Sequence, residues 1–219
     1  MQHIVNKDNL NLEFGDTPKK SLSSPNEKNR VLMHCCCAPC SSAMIEACLS
    51  FDITPVILFF NPNIHPEKEY LKRKSELIEF ARHLSLEFVD CDYTPESWFD
   101  DTKGLENEPE RGKRCEVCFT HRLMFTASYA AEHDIPHFTT TLMSSRWKDI
   151  NQIKRAASVA EDGVENKALF WDQDWRKEGL SNRKDYLIKR LDFYNQNYCG
   201  CVYSLRDTRI RMKEKALNN

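Results

Sequence analysis

Residues 31–42 read VLMHCCCAPCSS, and this stretch decides the fold. Its apolar first part, 31–35, predicts a short buried strand. The strand has to end before Pro39, because proline has no N–H to give to a sheet. Ser41 and Ser42 can cap a helix, and the residues that follow have helical spacing. The stretch therefore predicts a strand and a helix joined by a thiol-rich turn, which is where open α/β sheets bind ligands.

The same alternation recurs along the chain. Further buried strands are predicted at PVILFF (55–60), LEFVDC (86–91) and HFTTTL (137–142). Helices are predicted at 67–84, at 119–132 and, after a cap at Ser144 or Ser145, at about 147–160. Strands that alternate with helices predict an α/β fold with a mostly parallel sheet flanked by helices, of the Rossmann-like or HUP-like kind. The part after residue 163 is predicted to be mainly helical.

The length of 219 residues indicates one domain with extensions. We expect a flexible N-terminal arm at 1–29, a single α/β catalytic domain with a helical C-terminal portion at 30–204, and a basic C-terminal tail at 205–219. Residues 176–219 hold eleven Lys and Arg against five Asp and Glu, although the whole chain has a net charge of −2. This basic segment is compatible with a nucleic-acid partner and equally with a solvated helical surface.

The apolar residues of the chain are too dispersed for a membrane protein. No run of eighteen apolar residues occurs, so neither a membrane span nor a membrane partner is expected. Residues 1–30 are polar and lack the core of a signal peptide, so we expect a cytoplasmic protein. Thiols stay reduced in the cytoplasm, where clustered cysteines more often bind metal or carry out redox chemistry than form structural disulfides.

Eight of the ten cysteines fall into three groups, at 35–40, 115–118 and 199–201. Cys37-x-x-Cys40 and Cys115-x-x-Cys118 have the spacing of metal-ligand pairs, because two intervening residues let both sulfurs face one ion. Two such pairs suit either a four-thiolate zinc site or a [4Fe-4S] cluster, and the spacing does not choose between them.

The third group, Cys199-Gly200-Cys201, differs from the other two. One intervening residue lets the two sulfurs approach, and glycine permits the tight backbone. A disulfide in so small a ring would be strained and easily reduced. The pair is therefore predicted to be redox-active or to add ligands to a metal. Cys48 and Cys91 stand alone and are predicted to be small buried side chains.

Taken together, the three cysteine motifs resemble those of one known family. HCCCAPC (34–40), GKRCEVCFTHRL (112–123) and YCGCVYS (198–204) are similar, in this order, to motifs of the cobalamin-independent epoxyqueuosine reductases, the QueH family. The resemblance runs from Val31 to Ser204. Cys35 departs from the pattern, because an aliphatic residue is commoner there, and we interpret it as an extra thiol that is not a ligand.

The resemblance implies an oxidoreductase that reduces the epoxide of epoxyqueuosine, at the wobble position of tRNA, to the alkene of queuosine in the last step of queuosine biosynthesis. It also implies a [4Fe-4S] cluster with an additional mononuclear iron beside it. The implied cluster ligands are Cys36, Cys37, Cys115 and Cys118. Cys199 and Cys201 match the pair described as redox-active, and Cys40 is left for the second metal or for catalysis.

The implied partners are tRNA carrying epoxyqueuosine in the anticodon and a low-potential electron donor such as ferredoxin or flavodoxin. An RNA-binding surface uses basic side chains on phosphates and aromatic side chains for stacking. The basic candidates are Arg114, Arg122, Arg146, Lys148, Lys154, Arg155, Arg183 and Lys184. The aromatic candidates are Trp98, Trp147 and Trp175, for which packing is the competing interpretation. The candidates for proton delivery are His34, Asp92 and Tyr93, for which structural roles compete.

The main alternative is a zinc-stabilised, four-cysteine RNA-binding module without redox activity. Such a module has no use for Cys199 and Cys201. An ATP-using α/β enzyme would need a glycine-rich phosphate loop after the first strand. The loop here, CCAPCSS (36–42), contains no glycine, so nucleotide binding at that position is disfavoured.

Overall fold

The computed structural model describes residues 21–165 and 168–217. Most of the predicted N-terminal arm, residues 1–20, lies outside the described residues. Leu22, in the part of the arm that is described, is buried in the core.

Within these ranges the chain forms five strands and seven α-helices. The strands are β1 (Arg30–His34), β2 (Thr54–Phe59), β3 (Phe88–Asp90), β4 (His137–Thr140) and β5 (Leu169–Phe170). The helices are α1 (Ala38–Ser50), α2 (Glu67–His83), α3 (Pro95–Asp101), α4 (Lys113–Glu132), α5 (Ile150–Asp162), α6 (Leu180–Arg190) and α7 (Val202–Leu217). A short 3₁₀ helix, Thr141–Ser144, follows β4.

The five strands form one sheet in the order β3-β2-β1-β4-β5, and every pair is parallel. Leu32 of β1 pairs with Val56 of β2 on one side and with Phe138 of β4 on the other. The predicted α/β fold with a parallel sheet, flanking helices and a helical C-terminal part is confirmed. Since the strand order reverses between β1 and β4, a crevice opens beyond His34 and Thr140, where doubly wound sheets bind ligands.

The central strands β1, β2 and β4 are buried because helices cover the sheet. Residues 31–34 of β1 are completely buried, as expected for a central parallel strand that reads as a continuous apolar run. Helix α4 packs against α5, and α1 packs against α6. No helix in the described part of the chain is both long and apolar enough to cross a membrane.

Helix α1 begins earlier than the sequence predicts. Its N-cap is Cys37, which has an extended backbone, and Pro39 lies in its first turn. Proline is tolerated there because the first N–H groups of a helix have no partner within the helix. The predicted caps, Ser41 and Ser42, lie inside the helix, where their hydroxyls donate to backbone carbonyls one turn earlier. The capping prediction is therefore wrong, and Cys40 lies on the helix.

Helix α5 begins later than predicted. The side chain of Asp149 caps it by accepting from the N–H groups of Asn151, at 2.8 Å, and Gln152, at 3.4 Å. The predicted caps, Ser144 and Ser145, instead end the 3₁₀ helix. Aspartate caps at least as well as serine, so the sequence signal was present but assigned to the wrong residue.

Two short elements, α3 and β5, were not predicted. Helix α4 starts at Lys113, six residues before the predicted start, so Cys115 and Cys118 lie on a helix and not in a loop. Helix α7 crosses the proposed boundary between residues 204 and 205. The division into domain and basic tail stays a prediction.

Candidate metal centre

A cavity of about 390 Å³ lies at the carboxyl end of the sheet. Its volume is typical of small-molecule sites, which span roughly 300–1,000 Å³. Four of the residues that line it are cysteines, namely Cys36, Cys40, Cys115 and Cys199. These thiols come from all three sequence groups, so the fold brings together segments that are far apart along the chain.

The first thiol group consists of Cys36, Cys37 and Cys40, whose sulfurs all lie within 4.8 Å of one another. The Sγ atoms of Cys36 and Cys37 are 3.8 Å apart. The backbone N–H of Cys36 donates to Oγ1 of Thr141 at 3.2 Å, and this links the end of β1 to the end of β4. Three sulfurs at these separations can hold a metal ion.

The electrostatics of this group favour one thiolate. Hydrogen bonds from the thiols of Cys37 and Cys40 hold the pKa of Cys36 well below its ordinary value. The hydrogen bond between Cys36 and Cys37 also raises the pKa of Cys37. Nε2 of Gln196 donates to Sγ of Cys37 at 3.2 Å. The N-terminus of α1, whose N-cap is Cys37, has no side-chain cap, and its free N–H groups favour negative charge on nearby sulfurs.

The second thiol group consists of Cys115 and Cys118 in the first two turns of α4. The i and i+3 positions of a helix share a face, so both sulfurs point the same way. Sγ of Cys115 accepts from the N–H of Arg111 at 3.3 Å. Burial and the neighbouring Cys199 raise the pKa of Cys115 to about 12. A metal that binds here must therefore displace a proton.

The third group, Cys199 and Cys201, joins the second. Cys201 packs with Cys118 against the buried indole of Trp98. Burial and the neighbouring Cys199 raise the pKa of Cys201 to about 11. Both residues are free thiols, as are the other eight cysteines. The role of the pair in redox chemistry stays a prediction.

The remaining thiols have structural positions. The predictions that Cys48 and Cys91 are small buried side chains are confirmed. Cys35 is completely buried, and its N–H continues the sheet by donating to the carbonyl oxygen of Leu58 at 2.8 Å. It lies outside the group of three sulfurs that can share a metal ion.

Two buried N–H groups beside the thiols, Nε of Arg122 and Nε1 of Trp98, form no hydrogen bond of normal geometry among the described residues. Arg122 is 2% exposed, and both it and Trp98 act to lower the pKa of Cys118, against the larger opposing effect of burial. Desolvation opposes the positive charge of Lys148, but the neighbouring sulfurs of Cys199, Cys36 and Cys40 outweigh this effect and raise the pKa of Lys148. Unsatisfied donors, together with the buried cation of Arg122 and the half-buried cation of Lys148, fit an anionic group such as a metal cluster held by thiolates.

The structure places the candidates for proton delivery away from the cavity lining. Nε2 of His34 faces the carbonyl oxygen of Phe60 at 3.2 Å and therefore donates, so Nδ1 accepts from the hydroxyl of Thr140 at 2.7 Å. Burial and the charge of Arg122 lower the pKa of His34 to about 3, which keeps it neutral. The hydroxyl of Tyr93 donates to a backbone carbonyl at 2.7 Å, and Asp92 is exposed at the surface. The structural interpretation is favoured for His34 and Tyr93.

The basic candidates fall into three groups, which are buried in the fold, paired with acids at the surface, or part of the cavity lining. Arg183 forms a buried ion pair with Glu46 at 2.6 Å, and Arg114 donates to backbone carbonyls, so neither is available to phosphates. Lys154 and Arg155 pair with surface acids. The basic residues that line the cavity are Arg111, Arg122, Arg146, Lys148, Lys184 and Arg211. Two acidic residues, Glu110 and Asp185, line it as well.

Sequence reasoning missed four residues of this site: Arg111, Arg211, Thr141 and Gln196. Arg111 directly precedes the motif at 112–123 and Thr141 lies inside the predicted strand at 137–142, so position in or beside a predicted segment was an available signal. Gln196 lies three residues before Cys199, and only the fold brings its amide to Cys37. Of the three candidate tryptophans, Trp98 and Trp175 are buried, and only Trp147 lines the cavity.

A doubly wound parallel sheet with thiols from three segments around its switch-point cavity defines a class of protein, an α/β protein with a metal-capable, cysteine-rich site. Comparison with known proteins gives the family. Residues 31–207 match the family model described as epoxyqueuosine reductase QueH. The chain therefore belongs to the epoxyqueuosine reductase QueH family, and the predicted resemblance and oxidoreductase class are confirmed.

Individual relatives agree with this assignment. The chain is 50% identical over 190 residues to the epoxyqueuosine reductase QueH of Haemophilus influenzae, an alignment that covers 87% of this chain and 77% of the relative. It is 47% identical over 202 residues to the protein of the same name from Acinetobacter baylyi, with 90% of each chain covered. Identity to the Thermotoga maritima protein of that name is 35% over 188 residues, covering 84% of this chain and 94% of the relative.

Proposed function

We propose that this protein reduces the epoxide of epoxyqueuosine, at the wobble position of tRNA, to the alkene of queuosine, the last step of queuosine biosynthesis. The observation that carries the proposal is that thiols from three distant segments line one basic cavity, in a chain that belongs to the epoxyqueuosine reductase QueH family. The reaction consumes two electrons and two protons and releases the epoxide oxygen as water. The site therefore needs a source of electrons and a place for a negatively charged RNA substrate.

The cofactors in this proposal are a [4Fe-4S] cluster and an additional mononuclear iron. The proposed cluster ligands are Cys36, Cys37, Cys115 and Cys118. Support for a thiolate-bound cluster comes from the donor set and from the buried N–H groups of Arg122 and Trp98 beside Cys118, which form no hydrogen bond of normal geometry among the described residues and favour negative charge on its sulfur. When bound, the cluster supplies electrons one at a time, and an iron with an open position can act as a Lewis acid towards the epoxide oxygen.

The remaining cysteines of the site have proposed roles in redox chemistry. Cys40 binds the second metal or takes part in catalysis, and its place beside Cys36 and Cys37 supports either role. Cys199 and Cys201 exchange electrons as a dithiol–disulfide pair, because both are free and lie beside Cys115 and Cys118. A low-potential ferredoxin or flavodoxin is the proposed electron donor.

The chain's own residues hold the substrate. The cavity presents six basic side chains against two acidic ones, which favours entry of a nucleotide with its phosphates. Arg111 is exposed and lines the cavity. Lys148 lies close to the thiols, where its positive charge can offset a negative charge in the cavity.

The first experiment is a measurement of iron, zinc and acid-labile sulfide on anaerobically purified full-length protein, followed by a turnover assay. We expect about four sulfides and at least four irons per chain, with iron above four indicating the second site. With a chemical reductant and an epoxyqueuosine-containing anticodon stem–loop, we expect product RNA that is lighter by one oxygen atom. One zinc, no sulfide even after anaerobic reconstitution and no change in RNA mass would replace this proposal with the zinc-stabilised RNA-binding module.

A further inference from the structure

Trp147 is the most exposed aromatic side chain that lines the cavity. Its indole is 71% exposed, whereas Trp98 and Trp175 are buried. A single exposed tryptophan needs no explanation by itself. Trp147, however, lines a basic cavity next to the thiols, and its backbone is held in place by two arginines. Its exposure therefore needs an explanation.

Two arginines fix the main chain around Trp147. Arg111 donates from Nε to the carbonyl oxygen of Trp147 at 3.0 Å and from Nη2 to that of Arg146 at 3.4 Å. Arg176 donates from Nη2 to the carbonyl oxygen of Lys148 at 2.9 Å. Three consecutive carbonyl groups are thus held, and the cap of α5 follows directly at Asp149. The indole projects from a backbone that is ordered before any ligand arrives, which lowers the entropy lost on binding.

Arg146 gives the indole a cationic neighbour. Its guanidinium carbon lies 5.1 Å from the centroid of the Trp147 ring, within the range of a cation–π contact. Both side chains are exposed, and both line the cavity. A planar aromatic surface paired with a planar cation suits a ligand that is aromatic and anionic at the same time. An unstacked nucleotide of single-stranded RNA has both properties.

We infer that Trp147 and Arg146 form a stacking subsite for the nucleobase next to the one that enters the cavity, with Arg146 also contacting a phosphate. The inference rests on the proposed function for the identity of the RNA. The subsite holds the flanking nucleotide outside while the modified nucleoside reaches the thiols. Stacking of this kind recognises a base face and not a base edge, so the subsite is tolerant of sequence.

The test is the affinity of full-length protein for an anticodon stem–loop RNA that carries epoxyqueuosine. Stacking of one base on an aromatic side chain contributes enough that Trp147→Ala should weaken binding on the order of 5- to 150-fold. Trp147→Phe keeps a π face and should restore most of the affinity. Phe51→Ala is the matched control, because Phe51 is an aromatic residue, 41% exposed, at the opposite end of α1 from the thiols.

Two further readouts separate stacking from charge and from contact with the reacting base. Trp147→Ala should leave the dependence of affinity on salt unchanged, whereas Arg146→Gln should reduce its slope by roughly 0.7 to 1, the value for one phosphate. On a stem–loop that is abasic at both positions flanking epoxyqueuosine, Trp147→Ala should cause no loss of affinity beyond that of the unmodified protein, because no flanking base is left to stack.

The outcomes are distinct. If Trp147→Ala binds the stem–loop as tightly as Phe51→Ala does, the subsite is overturned. An equal loss on the abasic and the complete stem–loop also overturns it, because the indole would then contact something other than a flanking base. If the unmodified protein reduces no epoxyqueuosine but still binds the RNA through Trp147, the proposed function fails and the subsite stands. Thermal unfolding of each variant identifies any loss of binding that comes from misfolding. If Trp147→Ala is misfolded, the affinity of Trp147→Phe tests the subsite instead.

Discussion

The guanidinium of Arg73 holds the backbone of Cys199, although the two residues are 126 positions apart. Nη1 of Arg73 donates to the carbonyl oxygen of Cys199 at 3.2 Å, and Nη2 donates to that of Tyr198 at 3.3 Å. Arg73 is 1% exposed, and its Nε donates to Glu69 on the same helix at 2.7 Å. The position of the Cys199-Gly200-Cys201 loop at the cavity is therefore set by α2.

This relationship predicts the effect of Arg73→Lys. A lysine keeps the positive charge beside Glu69, but its single ammonium cannot replace the planar guanidinium that donates to two carbonyl groups. Losing even one hydrogen bond to a charged group, worth roughly 1.5–3 kcal/mol, would let the loop shift, so we expect turnover to fall about tenfold or more. Iron and sulfide content should stay at the level of the unmodified protein.

Steady-state turnover and metal analysis on the same preparation check this prediction. Lys68→Met is the control, because Lys68 is an exposed basic residue of the same helix. Unchanged turnover in Arg73→Lys would show that the anchor does not position the loop.

Gly200 allows a second prediction about the same loop. It has φ +125, and a Cβ built on it would lie 3.1 Å from Cγ1 of Ile64 and 3.2 Å from Nη1 of Arg73. Gly200→Ala therefore adds a close contact to an unfavourable backbone conformation. We expect a loss of about 1–3 kcal/mol in the free energy of unfolding.

Gly104→Ala separates the two contributions, because Gly104 has φ +83 and nothing lies within 4 Å of its built Cβ. Denaturant unfolding should show a larger loss for Gly200→Ala than for Gly104→Ala. Equal losses would mean that the close approach of Ile64 and Arg73 adds nothing to the backbone cost.

The sequence predicted the central part of the fold because apolar runs are a direct consequence of burial on both faces of a sheet. β1 and β2 were found in this way, since parallel strands read as continuous apolar segments. β5 was missed because it has two residues, and Leu169 is 47% exposed. α3 was missed because its seven residues, PESWFDD, contain too few turns for an apolar period to be visible.

Residues of the candidate site were predicted where their spacing along the chain is informative. They were missed where only the fold brings them to the site. The two-residue spacing of Cys115-x-x-Cys118 is typical of metal-ligand pairs and is visible in the sequence without the fold. By contrast, nothing in the sequence distinguishes Trp147, which is exposed, from Trp98, which is buried among thiols. The contact of Gln196 with Cys37 joins segments 159 positions apart, and such proximity depends on topology.

The buried ion pair between Glu46 and Arg183 gives a prediction about stability. Nε and Nη2 of Arg183 donate to the two carboxylate oxygens of Glu46 at 2.7 and 2.6 Å, and both side chains are at most 4% exposed. The pair joins α1 to α6. Glu46→Gln removes one charge and leaves the other buried, so we expect a loss of about 3–5 kcal/mol in the free energy of unfolding.

The double variant Glu46→Met, Arg183→Met should lose less stability than the two single variants added together, because no uncompensated charge remains. A double-mutant cycle by denaturant unfolding measures this difference. Additive losses would show that the two side chains do not stabilise each other.

Substitution of single cysteines tests which cysteines are cluster ligands and which form the redox pair, as proposed above. Cys115→Ser removes a proposed cluster ligand, so we expect loss of both acid-labile sulfide and turnover. Cys199→Ser removes one member of the proposed redox pair, so we expect sulfide near that of the unmodified protein and no turnover. Cys48→Ala is the control, because Cys48 is completely buried in α1 and lies outside the three thiol groups.

Sulfide content, the visible absorption of the cluster and turnover are measured together on anaerobic preparations. A Cys115→Ser variant with full sulfide would remove Cys115 from the ligand set and shift the cluster towards the Cys36, Cys37 and Cys40 group, whose sulfurs already lie within 4.8 Å of one another. A Cys199→Ser variant with full turnover would mean that electrons reach the substrate without this thiol. Loss of sulfide in Cys199→Ser would instead make Cys199 a ligand, because a redox pair outside the cluster is not needed to retain it.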